Sequence, residues 1–366
     1  MRVLAVSLRD FRCYEHAEVE IGEGLTVVTG PNGAGKTNLL EALYFGCTGR
    51  SCRTTNEREV VRFGAGATRV VVRALGEDGP HELAVGFEPG QPKRMRADGA
   101  PVERLLDVSE RPLVSVFLPD RLELVKGPPA LRRAHLDQLV AALWPARAGT
   151  RRAYAQSLAQ RNALISRIRG GHASRASLAT WDAQLAAHGI ALMHDRARAL
   201  DTVAESFARL GAALGLTGDP ELRYRPRSRA TEPAELVAEL AERIDSDLDR
   251  GFTGHGPHRD DVSFSCQGRE LRVYGSQGQQ RLALLALLLA EREAIAASRD
   301  VTPLMLLDDV MSELDRDRRE ALVEVLRAGG QAVITTTDLE HVPGVADLDV
   351  TSLVVADGSV QQGAAV

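Results

Sequence analysis

The chain has 366 residues, 44% of them hydrophobic, which is enough to bury more than one core and suggests two or so domains. Its formal net charge of −5 argues against a uniformly basic nucleic-acid binder, and no apolar run is long enough for a membrane span. Charge at Arg2, Arg9 and Asp10 comes too early for a signal peptide, and Cys13, Cys47, Cys52 and Cys266 lack C-x-x-C spacing, so reduced thiols packed as small hydrophobes in a cytoplasmic protein are expected.

Residues 1 to 30 read as strands, with Val3 to Val6, Asp10 to Tyr14, the alternating stretch Ala17 to Ile21 and the apolar run Leu25 to Val28. There follows Gly30-Pro31-Asn32-Gly33-Ala34-Gly35-Lys36-Thr37, a Gly-x-x-x-x-Gly-Lys-Thr loop opening a helix over Asn38 to Tyr44. The glycines let successive backbone N–H groups turn toward an anion, and the helix behind them adds its positive dipole end. Lys36 is placed to reach the β- and γ-phosphates of a nucleotide, and Thr37 to hold Mg²⁺. Only three of the 45 basic residues are lysines, and Lys36 has a reason to be one: a compact ammonium fits inside a tight loop where a planar guanidinium does not. Beyond the helix, Gly49 to Thr54 is a short basic turn, and alternating runs at Thr68 to Arg73 and His81 to Phe87, joined by Gly79-Pro80, predict a second, antiparallel sheet.

Near Pro119 to Pro129 the pattern changes from strand to helix. Leu136, Leu139, Val140, Leu143 and Trp144, then Tyr154, Leu158, Leu164, Ile165 and Ile168, then Leu178, Trp181, Leu185 and Leu192 form apolar stripes at helical spacing, the seams of a helical lobe. From Arg121 to Arg175 the chain holds eleven basic and two acidic residues, a candidate footprint for a polyanion in which Arg151, Arg152 and Arg161 are the candidate DNA contacts. The expected boundaries are 1–120 for the first part of a nucleotide-binding domain, 121–250 for an inserted all-helical lobe and 251–366 for the rest of that domain.

The stretch Gly251 to Asp261 returns to loops. His255, His258, Asp260 and Asp261 offer metal donors, but no further ligand has fixed spacing and the Gly-Pro loop accounts for the bend. Ser276 and Gln279 make a capping box ahead of the apolar helix Leu282 to Ala290. Two continuous apolar runs then end in Asp308-Asp309 and in Thr335 to Asp338, as parallel strands buried on both faces would, with their acidic ends at the carboxyl edge of a sheet.

The phosphate loop, Ser276-Gln277-Gly278-Gln279, Leu307-Asp308-Asp309 and Ser312-Glu313-Leu314-Asp315 stand in the order of an ABC-type ATPase head. Within that class the chain resembles the RecF family, nearly end to end, through Asp10 to Tyr14, Gly49 to Thr54, Leu124 to Gly127, Gln160 to Leu164, Trp181 to Leu185, Gly256 to Asp261 and Gly275 to Arg281. The resemblance implies an α/β fold of mixed sheets around a central helix, with ATP and Mg²⁺ as cofactors. It implies an ATP-dependent homodimer in which Ser276, Gln277, Gly278 and Gln279 act on the partner's nucleotide. Arg12 would touch phosphate, Asp308 would hold Mg²⁺, Asp309 would polarise the attacking water and Asp315 would couple the two heads. Asp309 where most ABC heads carry Glu, and Thr337 where transporter ATPases carry a switch His, imply slow hydrolysis. The implied function is an ATP-switched DNA-binding protein and weak DNA-dependent ATPase. It would recognise duplex DNA at single-strand gaps and assist RecA loading with RecR and RecO. The phosphate loop by itself also admits a transporter ATPase subunit, which would have a membrane partner, or a small-molecule kinase, which would need neither the Ser276 helix nor a basic lobe.

Overall fold

A computed structural model describes residues 1–345 and 350–363; the side chains of Asp120, of Arg121 at the head of the basic window and of Glu313 in the Ser312–Asp315 motif lie outside what is described. The chain forms two compact units, Met1–Arg121 with Ile295–Val366, and Leu122–Ala294.

In the first unit, β1 (Arg2–Phe11), β2 (Tyr14–Glu20) and β3 (Leu25–Thr29) lead to α1 (Lys36–Thr48), then β4 (Thr68–Gly76), β5 (Gly79–Phe87), β6 (Arg94–Ala97), β7 (Ala100–Val102) and β8 (Val114–Phe117). Strands β1, β2 and β4 to β7 make one antiparallel sheet in the order β2-β1-β4-β5-β6-β7. Its burial alternates over most of β4, while β5 buries Leu83, Ala84 and Val85 in succession. Val70, Val72, Leu83 and Val85 face inward, while Arg69, Arg73 and Glu82 face out.

The chain returns to this unit with β12 (Leu304–Leu307), α10 (Arg316–Ala328), β13 (Ala332–Thr336), β14 (Thr351–Ala356) and β15 (Ser359–Gln362). These strands join β3 and β8 in a second sheet, order β15-β14-β3-β13-β12-β8, in which β14, β3, β13, β12 and β8 run parallel. The continuous apolar runs of β3, β12 and β13 are buried throughout, as strands covered on both faces require. Helix α1 lies between the sheets, and its Leu39, Leu40, Leu43 and Phe45 share one core with Val70 and Val72 of one sheet and Val28, Leu306 and Val333 of the other. Gly46 permits that fit: a Cβ there would stand 2.4 Å from Val72 Cγ2.

The second unit holds α2 (Glu123–Lys126), α3 (Pro129–Leu143), α4 (Thr150–Arg169), α5 (Leu178–Ala213), β9 (Glu221–Arg225), α6 (Pro233–Glu242), α7 (Ile244–Arg250), β10 (Asp261–Cys266), β11 (Arg269–Glu270), α8 (Leu271–Tyr274) and most of α9 (Gln277–Arg299). The apolar stripes are its seams, with Leu136, Leu139, Tyr154, Ile165, Leu185 and Leu192 all buried. Two features differ from the sequence expectation. The lobe is not wholly helical, because β9 and β11 pair antiparallel with β10 in a three-stranded sheet. For the same reason its compact boundary falls after Ala294 rather than at residue 250: β10 takes its partner from within the lobe and carries the chain with it.

The lobe is also pinned by buried charge. Arg161, fully buried, donates to Asp182 at 2.6 Å and to Asp247 and Thr253 at 2.7 Å. Arg196 holds Asp137 through two nitrogens and also reaches Asp260 and the Pro257 carbonyl. His258 donates from Nε2 to the Thr253 carbonyl at 2.9 Å, and its Nδ1 lies 2.7 Å from the Tyr154 hydroxyl, from which the neutral ring accepts. Burial, with Arg259 and Arg133 adding to it against the Thr253 bond, pushes its pKa down to about 4. The unfolded chain therefore binds this proton first. The stabilising contribution is whole above the ordinary His value near 6.5 and drains away as pH falls toward 4, a total of roughly 3 kcal/mol. In urea unfolding followed across that window, His258→Gln should lose less stability than wild type. Asp260, raised by burial, gives an opposite slope that is common to both proteins. Equal pH slopes would refute the assignment.

Candidate nucleotide-binding site

The loop between β3 and α1 needs its glycines. Gly30 (φ 151°), Gly33 (φ 83°) and Gly35 (φ 117°) all have positive φ, and a Cβ on Gly30 would stand 2.2 Å from the Val355 carbonyl oxygen. Lys36 is only 8% exposed and folds back over the loop, its Nζ donating to the Gly30 and Pro31 carbonyls at 2.7 and 3.1 Å. Burial lowers its pKa while Asp309 and Asp308 oppose that shift, so both carboxylates are electrostatic neighbours of the ammonium.

Asp308 and Asp309 follow the end of β12. The Thr37 hydroxyl lies 2.9 and 2.8 Å from the two Asp308 carboxylate oxygens, and Thr335 at the end of β13 donates to Asp308 Oδ1 at 2.8 Å. The same Thr335 oxygen accepts from the Asp309 backbone N–H at 2.9 Å, which fixes both acidic residues from one hydroxyl. Asp309 Oδ1 is buried without a hydrogen-bond partner. A hydroxyl and a carboxylate beside an ammonium, with a buried acceptor left unpaired, are the donor set that a hard divalent cation and a phosphate take together, so the residues fit Mg²⁺ and a nucleotide triphosphate.

Arg12 stands in the turn after β1 at φ 54°, a strained conformation for a long side chain. It is held there by its own N–H, which donates to the Val60 carbonyl at 2.8 Å, and by Nε and Nη2 bonds of 2.8 and 2.7 Å to Glu41 of α1. Glu41 is fully buried and also draws in Ser51 and Arg53. Asn38 links Arg53 to the surface thiol of Cys13, which touches the position a Gly35 Cβ would take. Glu41, Asn38 and Thr335 were not identified from the sequence as site residues. For Glu41 a signal existed: a lone carboxylate in the apolar stretch Leu39 to Phe45 must find cations.

In the second unit Ser276 caps α9 with both bonds of the capping box, Gln279 N–H to Ser276 Oγ at 3.2 Å and Ser276 N–H to Gln279 Oε1 at 2.9 Å. Ser276, Gln277 and Gly278 are exposed, and so are Val273 and Tyr274 just before them. Asp315 caps α10, accepting from the Arg318 N–H at 3.0 Å, and Thr337 is exposed just after β13. Of the three candidate DNA contacts, Arg161 is corrected: its guanidinium is fully buried among Asp182, Asp247 and Thr253 and has no surface to offer. Arg151 is exposed but pairs with Asp137 at 3.2 Å, and Arg152 is exposed. His255 and His258 bond to Glu239 and Thr253 instead of converging, and among the described residues no group of three or more His, Cys, Asp or Glu is placed to hold a metal.

Residues 5–82 match a family model described as an AAA domain. Over 98% of its length the chain is 39% identical to the DNA replication and repair protein RecF of Myxococcus xanthus, 97% of which it covers. Its identity to the RecF of Heliobacterium modesticaldum is 36%, over 93% of each chain. A solved structure of the recombination mediator protein RecF with ATP, in the RecFOR pathway, superposes with a TM-score of 0.86 at 27% identity, covering 99% of this chain and 98% of that one. An SMC head bound to the C-winged helix domain of ScpA shares the fold alone, at a TM-score of 0.61 and 16% identity over 99% of this chain and 97% of that one. The molecule has the ABC-type ATPase head fold, and the chain belongs to the RecF family of DNA replication and repair proteins.

Proposed function

We propose that the protein is an ATP-switched DNA-binding dimer that recognises duplex DNA next to single-strand gaps and assists RecA loading together with RecR and RecO in the cytoplasm. The observation that carries this reading is the cradle of Gly30, Gly33, Gly35 and Lys36 set beside Thr37, Asp308 and the unpaired Asp309 oxygen in a chain of the RecF family. Lys36 binds the β- and γ-phosphates, and Thr37 and Asp308 hold Mg²⁺, which when bound neutralises phosphate charge. Asp309 polarises the attacking water, and Arg12, pinned by Glu41, sits at the edge of the phosphate loop as a further phosphate contact. The exposed N-terminus of α9, with Ser276 to Gln279 and the uncovered Val273 and Tyr274, is the surface that meets the partner's nucleotide. Asp315 couples the heads. With Asp309 one methylene shorter than Glu and Thr337 in place of an imidazole, hydrolysis is slow and ATP acts as a switch.

Lys36→Met should weaken ATP binding roughly 10- to 100-fold, and Lys36→Arg should also weaken it because the loop closes on the ammonium. Nucleotide titration checks both, and wild-type affinity in Lys36→Met would remove the basis of the proposal.

Ser276→Arg should leave ATP binding to the monomer intact and prevent the ATP-dependent dimer, read by sizing with and without ATP, Mg²⁺ and duplex DNA. A cap loss of about 1 kcal/mol is controlled by circular dichroism. A variant that dimerises normally with ATP would rule out the two-headed clamp.

Asp309→Asn keeps the side-chain size and leaves Asp308 with Thr37 and Thr335, so binding and closure should persist while hydrolysis falls by about 10²- to 10⁴-fold. DNA dissociation in ATP should then slow. Dissociation as fast as wild type with hydrolysis lost would overturn the idea that hydrolysis opens the clamp.

A further inference from the structure

The loop from Gly251 to Asp261 is held by a dense set of hydrogen bonds that leaves Phe252 and Arg259 exposed, and none of its anchors is used by the nucleotide site. Thr253 donates through N–H and Oγ1 to Asn162 Oδ1 at 2.8 and 2.7 Å and receives Arg161 at 2.7 Å. The Gly254 N–H donates to Asp247 at 2.9 Å, and Asp260 receives the Arg227 N–H at 2.7 Å. Burying this many charges is costly, and a hydrophobic core of equal volume would stabilise the lobe as well or better. What the network achieves is placement: the residues it leaves on the surface are held in one arrangement.

Those surface residues are unusual. Phe252 is 40% exposed, with the Arg259 guanidinium 5.3 Å from its ring centroid. Arg227 from the end of β9 and Arg250 from the end of α7 join them around an open depression of about 450 Å³ floored by Gly254. Among the described residues no carboxylate oxygen lies within 4 Å of the guanidinium groups of Arg227, Arg250 or Arg259. These three exposed guanidiniums, none of them in an ion pair with a described residue, are collected at one place and set beside an exposed aromatic ring.

We propose that Phe252, Arg227, Arg250 and Arg259 form a binding site for single-stranded DNA, the arginines taking backbone phosphates and the free face of Phe252 stacking an unpaired base. Guanidinium groups match phosphate oxygens bidentately, and an aromatic ring stacks any base that is not already paired. A duplex offers the same phosphates but keeps its bases stacked on one another, so Phe252 selects the single strand. The site rests on the DNA-binding reading above and deepens it: it supplies the single-strand half of gap recognition.

The test uses the full chain and fluorescence anisotropy with a labelled oligothymidylate, a blunt duplex and a tailed duplex, each over a salt series. Phe252→Ala should weaken oligothymidylate binding by about five-fold or more without changing the salt slope, and Phe252→Trp should restore it. Arg227→Gln and Arg259→Gln should each lower the salt slope by about 0.7. Blunt-duplex affinity and ATP affinity should stay at wild-type values. Wild-type single-strand affinity in Phe252→Ala and Arg259→Gln would overturn the site and leave the DNA-binding reading standing, with an acidic protein surface as the occupant to examine. Binding of inorganic phosphate that abolishes oligothymidylate binding equally in wild type and Phe252→Ala would reduce it to a bare anion site and overturn the stacking claim. A wild type that binds none of the three DNAs would remove the DNA-binding reading itself.

Discussion

The contact between the Thr37 hydroxyl and the Asp308 carboxylate joins residues 271 positions apart, and the nucleotide site exists only where it forms. Its distance is set by the parallel sheet. Strands β3, β13 and β12 lie side by side, so the loop after β3, Thr335 at the end of β13 and Asp308 after β12 emerge on one edge. Successive residues continuing a strand would point to opposite faces. Asp309 breaks that alternation by adopting a left-handed conformation, φ 46° and ψ 32°. Among the described residues, six of the eight non-glycine positions with positive φ are aspartates, which tolerate that region better than longer side chains do. The Asp at 309, where many ABC heads carry Glu, thus has a backbone reason beside its proposed chemical one.

Arg12 is the other informative member of that set, because an arginine gains nothing from a left-handed turn. Its strain is borne by the Val60 carbonyl on one side and by a fully buried Glu41 on the other. A buried carboxylate is costly unless paired, and Glu41 is paired with two arginines and a serine. The arrangement makes α1 do two things: its N-terminus closes the phosphate loop, and its second turn fixes a cation next to that loop. The second unit applies the same device on a larger scale, with Arg132, Arg161 and Arg196 tying α3, α4 and α5 to Asp261, Thr253 and Asp260 of one stretch.

What the sequence made legible was local. The phosphate loop, the capping box at Ser276 and the buried parallel strands were readable because the residues that matter lie within a few positions of one another, and the physics involved, glycine φ or a reciprocal cap, is complete in that span. The small sheet of the second unit was not. Glu221 to Arg225 alternates polar and apolar, but so short a run does not say whether it belongs to the head or to the lobe, and its partner β10 lies some 40 residues on. Without that pairing the lobe looked all-helical and its end was set too early. Cys13 was read as a core thiol like Cys47, yet it sits exposed in the turn that carries Arg12, where the neighbouring left-handed residue decides which side chains face out.

The basic window from Arg121 to Arg175 is less basic as a surface than as a sequence for a related reason. Its charge was counted along the chain, but the acids that answer it come from elsewhere: Arg132 meets Asp261, Arg161 meets Asp182 and Asp247, and Arg175 meets Asp245. Folding answers part of the window from outside it and leaves Arg152, Arg167 and Arg169 exposed. The depression around Phe252 works in reverse. Arg227, Arg250 and Arg259 lie in three separate elements whose stretches also contain Asp245, Asp247, Asp249, Asp260 and Asp261, so no window there is strongly basic. Several of those acids are turned inward to hold Arg161, Arg196 and Arg132, and the arginines between them are left uncovered. In a chain that uses arginine almost wherever a positive charge is needed, a guanidinium's role is fixed by where its nearest carboxylate spends its own charge, and that is a property of the fold.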